Sequence, residues 1–205
     1  MNVEHIHFIA EEPSTEMFLR ALLPRILGEK SFEVFGFQSK DELLQRLPAR
    51  LKGYSAWLPE TYRIVVIVDR DDDDCHQLKA QLESFALAAN LYTRSHPSQG
   101  QFAVVNRIAI EELEAWYFGD WEAVRAAYPR VSPNVPQKEP YRDSDAIAGG
   151  TWEAFERVLQ RAGYFKTGLR KIEAAEAIAP YMDHQRNRSR SFQVLRDAVI
   201  ELAEL

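Results

Sequence analysis

The sequence predicts an α/β fold, with a mainly parallel four-stranded sheet between helix layers and a C-terminal helical extension. Three observations carry that prediction. Strand-like apolar runs alternate with amphipathic stretches, the pattern of a parallel sheet covered by helices. One run, Ile64 to Val68, is unbroken and wholly β-branched, as a strand buried on both faces should be. Acidic residues then follow three of the four runs, where ligands of such sheets bind.

The elements follow in order. His5 to Ala10 alternates and then turns apolar, giving a first strand. Pro13-Ser14-Thr15 starts a helix whose apolar face is Phe18, Leu22, Leu23, Ile26 and Leu27. Pro24 should kink or end it, and Gly28 is a stop. Phe32 to Phe37 reads as the second strand. Lys40 to Leu51 reads as a helix, with Pro48 as its flaw. Tyr62 to Val68 is the third strand. Asp74 can cap a helix that reaches Ala89, with Asn90 as its stop. Phe102 to Ile110 is the fourth strand, and Glu111 to Phe118 begins another helix.

The character changes after Tyr128. Pro129, Pro133, Pro136, Pro140 and Gly149-Gly150 mark a long ordered loop or linker. Three helical stretches follow, near Trp152 to Ala162, Leu169 to Tyr181 and Ser191 to Leu205. The division expected is a core over 1–128 and a Pro-rich connection with helical extension over 129–205, packed on that core.

A net charge of −6 excludes a strongly basic nucleic-acid module, though not a local basic patch. A single cysteine, Cys75, allows no internal disulfide and fits a reducing compartment. It has no nearby base to make it a nucleophile. The first residues lack a basic, then apolar, leader pattern, and no segment approaches the roughly 20 apolar residues that span a bilayer. The expectation is a soluble, cytoplasmic protein with no membrane contact. Phosphate loops of the GxxxxGK[ST] and GxGxxG kinds are missing, as is a Gly-x-Ser-x-Gly elbow, which disfavours nucleotide folds and serine hydrolases.

The candidate chemistry lies in the acidic elements. Asp69, Asp71, Asp72, Asp73 and Asp74 crowd five carboxylates into six positions at the end of a buried strand. Such crowding calls for a counter-charge, and a divalent cation is the simplest one. Residues two apart on a strand point the same way, so Asp69 and Asp71 can face one ion. Mg²⁺ keeps several waters, so one or two carboxylates suffice. The competing reading is a solvated loop, with Asp72 or Asp74 as helix cap. Glu11 ends the first strand and would sit beside Asp69 if the first and third strands are neighbours; it could serve as general base or metal ligand. Glu16 has a structural reason, since the first turn of a helix favours negative charge. Glu111 and Glu114 would share a helix face, with Glu112 solvated and Trp116 in the core. Spacing leaves open which of these glutamates faces a metal.

Positive charge concentrates near the C-terminus. Arg186, Arg188, Arg190 and Arg196, joined by Lys166, Arg170 and Lys171, suit phosphate recognition. The alternative is a solvated surface with Ser191 capping the last helix. His5 and His7 share a strand face and read as packed or edge histidines rather than ligands.

These motifs together resemble the Toprim fold of topoisomerases, primases and OLD-family nucleases. Ala10-Glu11-Glu12-Pro13-Ser14-Thr15-Glu16 is similar to the Val-Glu-Gly-x-Thr-Glu element, which puts Glu11 at the catalytic glutamate. Asp69-Arg70-Asp71 matches Asp-x-Asp, with Asp73 where some members carry a third aspartate. Glu114-Ala115-Trp116 resembles the Glu-x-Trp element of the RloB-like branch. Across most of its length, including Tyr141 to Gly150 and Asn187 to Phe192, the chain resembles an uncharacterised bacterial Toprim-like family, often encoded beside an ABC-type ATPase in candidate phage-defence modules. Glu12 departs from the pattern, which has a turn-forming glycine there. The resemblance implies a Toprim-like three-layer sandwich and a nuclease using Mg²⁺, or Mn²⁺. Asp69, Asp71 and Asp73 would hold the metal, with Glu11 and Glu111 or Glu114 beside them. Its partners would be nucleic acid, DNA ahead of RNA, and an ABC-type ATPase. A non-catalytic partner of an ATPase and a phosphotransfer enzyme on small phosphorylated substrates are the alternatives.

Overall fold

The protein is described by a computed structural model covering residues 2–205. Strands β1 (His5–Ala10), β2 (Ser31–Gly36), β3 (Tyr62–Asp69) and β4 (Val104–Ala109) form one sheet in the order β2-β1-β3-β4. Every pairing is parallel. The helices are α1 (Pro13–Leu22), α2 (Pro24–Leu27), α3 (Lys40–Ser55), α4 (Cys75–Ala88), α5 (Leu113–Gly119), α6 (Trp121–Ala127), α7 (Thr151–Arg161), α8 (Lys171–Ile178) and α9 (Arg190–Glu204).

The period-2 geometry of the strands divides the core into two layers. Ile6, Phe8 and Ala10 of β1 and Val65 and Ile67 of β3 pack with Phe18 of α1 and Phe192 of α9. Ile9, Ile64, Val66 and Val68 face the other way, onto Leu43 and Leu47 of α3 and Leu78 and Leu82 of α4. The result is a three-layer sandwich whose central strand β3 is buried on both faces.

The strand order places the site. From β1 the chain passes to β2 on one side, then crosses to β3 and β4 on the other. The direction of winding reverses between β1 and β3, and a crevice opens outside their carboxyl ends. Glu11 and Asp69 lie at those two ends.

After α6 the chain makes two short 3₁₀ turns, Val135–Gln137 and Glu139–Tyr141. The Trp121 indole N–H donates to the Ser132 carbonyl at 2.9 Å, and Tyr141 stacks on Phe118. Phe155, Ala175 and Phe192 of the later helices are fully buried in the same apolar layer as Phe8 and Phe18.

Pro24 ends α1 and opens α2, and Gly28 closes α2 in the left-handed region (φ 61°). Pro48 does not stop α3, which runs on to Ser55 because Leu47, Leu51 and Tyr54 keep one stripe buried. Asp74 caps α4 by accepting from the His76 and Gln77 amides. The cap of α9 is Ser189 rather than Ser191: its hydroxyl accepts from the Phe192 amide. Ser191 is buried and accepts from the Trp116 indole at 3.0 Å.

Candidate functional site

The crevice is built from strand ends and the turns that follow them. Glu11 follows β1 and is 8% exposed; Asp69 ends β3 and is 4% exposed. The Asp69 amide donates to Glu11 Oε2 at 2.8 Å. Burial pushes the Glu11 carboxyl up to about 7, and the nearby Asp71 charge adds to the push. Asp69 is raised well above the usual carboxylate range by burial first, then by Glu11, Glu12 and Glu114.

Glu114, in the first turn of α5, is fully buried. Neither of its carboxylate oxygens has a hydrogen-bond partner. Burial raises its carboxyl to about 7, with Glu12 and Glu112 contributing. Opposing these acids is Lys171, the first residue of α8, whose ammonium lies 3.5 Å from Glu12 Oε2. The charges of Glu114, Glu12, Glu112 and Asp69 outweigh burial and raise the Lys171 pKa, so it stays charged.

Glu12 occupies the place of the expected glycine without strain. Its backbone is extended (φ −134°, ψ 161°), a conformation any residue adopts. Its carboxylate joins the acidic group and accepts from the Ser14 hydroxyl.

The outer rim differs from the sequence expectation. β3 ends at Asp69, and Asp71 sits in a turn with φ 47°. The two aspartates therefore do not share a strand face: Asp69 points inward, while the Asp71 side chain is 46% exposed. Asp71 and Asp73 both pair with the Lys40 ammonium, at 2.7 and 2.9 Å. Lys40 also donates to the Arg70 carbonyl.

Glu111 corrects a second expectation. It precedes α5 with φ 62°, so it shares no helix face with Glu114, and its carboxylate pairs with Arg70. Its carbonyl accepts from the Asp71 amide at 3.0 Å, so two left-handed residues lock to each other at the mouth of the crevice. Such backbone persists only where its surroundings over-determine it, and it clusters at functional sites. Glu112 is half-buried and engaged rather than free in solvent. It accepts from the Thr151 hydroxyl and the Trp152 amide, both at 2.9 Å, anchoring the start of α7. Asp71, Asp72, Glu111, Glu112 and Gly149-Gly150 line an open groove of about 660 Å³.

Among the described residues, no three carboxylates of this edge hold their ligand atoms within 4.8 Å of one another. The pairings with Lys40 and Arg70 turn the rim carboxylates toward cations already present. The interior differs, because the oxygens of Glu114 are buried acceptors with no hydrogen-bond partner. With the carboxylates of Asp69 and Glu11 they are of the ligand type that hard cations such as Mg²⁺ take.

The basic residues divide. The Arg186 guanidinium forks onto buried Asp120, at 2.8 and 3.0 Å, and so acts as a structural clamp rather than a free phosphate binder. Arg196 is held by Asp197 and the His184 carbonyl. Arg170 pairs with Glu173 and lies 4.8 Å over the Phe165 ring. Lys166, Arg188 and Arg190 are exposed. Two cations enter the acidic site, Lys40 and Lys171. In the sequence Lys40 reads only as the start of a helix, and Lys171 as one of the basic residues suited to phosphate, with no sign of its place among the acids.

A family model described as a domain of unknown function, DUF4276, matches residues 10–200. No curated protein matches the chain. Among solved structures, the C-terminal region of the Xanthomonas campestris pv. campestris OLD protein superposes with a TM-score of 0.52 at 11% identity, covering 98% of this chain and 96% of that one. The C-terminal region of the Burkholderia pseudomallei OLD protein gives a TM-score of 0.50 at 15% identity, covering 97% of this chain and 100% of the other. At these identities the likeness is one of fold. No helix among the described residues is long and apolar enough to cross a membrane.

Proposed function

The chain belongs to the DUF4276 family, and from that premise we propose that it is a divalent-metal-dependent nuclease acting on nucleic-acid phosphodiesters. One observation carries the reading: a fully buried Glu114, neither oxygen hydrogen-bonded, close enough to Asp69 to raise its pKa, where Asp69 and Glu11 meet at the switch point of a parallel sheet. A buried acid without a partner is costly unless something positive arrives.

In this reading Asp69 and Glu114 would hold Mg²⁺, or Mn²⁺, and Asp71 and Asp73, paired with Lys40 at the rim, would turn inward to join them. A bound ion supplies Lewis-acid polarisation of a phosphodiester oxygen. Glu11, held by the Asp69 amide, would take a proton from the attacking water. Lys171 brings a fixed positive charge for a phosphate oxygen. Lys166, Arg188 and Arg190, with Arg170, lead the nucleic-acid backbone without reading sequence. DNA is the preferred substrate. An ABC-type ATPase partner, a phage-defence role and a cytoplasmic setting complete the reading, from the resemblance of the motifs.

A second reading has its own support. Lys40 and Lys171 already neutralise much of the acidic group, as a non-catalytic scaffold docked on an ATPase would require. Incubating the protein with plasmid DNA, single-stranded DNA and RNA, in Mg²⁺ and in Mn²⁺, separates the two. Cleavage by the wild type and none by Asp69→Asn is the expected result. Undiminished cleavage by Asp69→Asn overturns the assignment. No cleavage of any substrate, with no heat of Mg²⁺ binding, favours the scaffold.

A further inference from the structure

We propose that His5, His7 and Glu33 form a site for a transition-metal ion of the Zn²⁺ class, separate from the acidic crevice. The three residues each offer one ligand atom, and those atoms lie within 4.8 Å of one another. The backbone dictates the grouping. His5 and His7 are two apart on β1 and so share a face. Glu33 on β2 is the register partner of His7 in the parallel ladder. Sequence spacing hides this set, because the third ligand comes from the neighbouring strand.

A second observation points to a missing partner. His7 is 5% exposed, yet neither ring nitrogen has a hydrogen-bond partner. Its Nδ1 lies 3.7 Å from Glu33 Oε2, too far for a hydrogen bond. Buried polar atoms are normally satisfied, so a group that completes His7 belongs between these side chains. His5 is held in place by a contact of 2.8 Å between its Nδ1 and the Ser31 hydroxyl, the kind of outer support that fixes a ligating imidazole. Burial lowers the pKa of both histidines, leaving them neutral and able to ligate at neutral pH.

The donor set selects the ion. Two imidazoles and a carboxylate suit Zn²⁺ and its neighbours, whereas Mg²⁺ prefers oxygen alone. Bonds of about 2 Å to Zn²⁺ put ligand atoms roughly 3.3 Å apart, so the site must tighten. The Glu33 side chain is 59% exposed and can swing inward. Tyr54, Trp57 and Phe35 wall the His7 ring. The nearby cation, Arg50, is engaged over Phe35 and with the Tyr54 hydroxyl. His7 and Glu11 are four residues apart along the chain, roughly 13 Å, so the two sites do not share ligands. A bound ion would staple the edge strand β2 to β1.

The test uses the full chain stripped with chelator, then titrated with Co²⁺ in the visible region and with Zn²⁺ by calorimetry. The expected result is saturable, stoichiometric binding with Co²⁺ ligand-field bands, and a rise in melting temperature with Zn²⁺. Glu33→Gln and His5→Gln should each weaken binding by more than about tenfold, while the Co²⁺ ligand-field bands persist in Asp69→Asn. Glu33 is exposed, so its variant should keep the metal-free melting temperature of the wild type. No Co²⁺ bands in the wild type, or unchanged Zn²⁺ affinity in either ligand variant, overturns the proposal.

Discussion

The carboxylate of Glu11 accepts the main-chain amide of Asp69 at 2.8 Å, tying the end of β1 to the end of β3. That bond makes Glu11 both structural and chemical, and two substitutions separate the roles. Glu11→Ala leaves a buried amide without an acceptor and should cost about 1–3 kcal/mol of stability. Glu11→Gln keeps an acceptor oxygen but loses the charge. It should melt within a few degrees of the wild type and lose metal-dependent cleavage. Thermal unfolding alongside a cleavage assay checks both.

Glu114 makes metal-free stability depend on pH. Its carboxyl titrates near 4.5 in the unfolded chain and about 7 in the folded one. Below 4.5 both states are protonated and the group contributes nothing. Between the two values the folded state holds more protons, so stability falls as pH rises, and the loss is complete above about 7. The loss is on the order of 3 kcal/mol for this group. In chelator, Glu114→Gln should lessen the fall between pH 5 and pH 8, the share of Glu11 and Asp69 remaining, and gain stability over the wild type at pH 8. Urea unfolding at both pH values gives the comparison.

Under the proposed function Lys40 competes with the metal. Its ammonium holds Asp71 and Asp73 in the position a cation would otherwise take. Lys40→Met should therefore tighten Mg²⁺ binding by up to about tenfold, a change of roughly 1.4 kcal/mol. Weaker binding in that variant would mean that Lys40 positions the aspartates for the ion. Calorimetry with the wild type and Lys40→Met decides.

The sequence made some of this legible, for physical reasons. Burial on both faces leaves β3 an unbroken apolar run, so its end, and with it Asp69, is visible directly. Glu11 is visible because a carboxylate after an apolar strand has no packing reason to be there. The groups that hold the site together are not visible. Lys171 reaches Glu12 across 159 positions, and the Lys40 to Asp73 pairing spans 33. Such contacts are made by the packing of α8 on α1 and of α3 beside the β3 turn, and periodicity carries no trace of either. Spacing also misread Glu111, because a left-handed residue breaks the helical phase that placed it beside Glu114.

Arg186 and its basic neighbours should separate cleanly. Asp120 is buried, caps α6 through the Ala123 amide, and accepts from the Asp183 amide and from both arms of Arg186. Arg186→Ala removes the charge partner but leaves those amide bonds. Half of its side chain is exposed, so the loss should be about 1–2 kcal/mol rather than the 3–5 of a fully buried pair. Asp120→Ala should cost more, since it strips the cap as well. Arg188 and Arg190 are exposed, and Arg188→Ala with Arg190→Ala should leave stability within about 0.5 kcal/mol. That double variant should instead weaken nucleic-acid binding and shallow its salt dependence by about two contacts. An unchanged salt slope would remove this segment from the binding surface and leave Lys40 and Lys171 as the cations that enter the crevice.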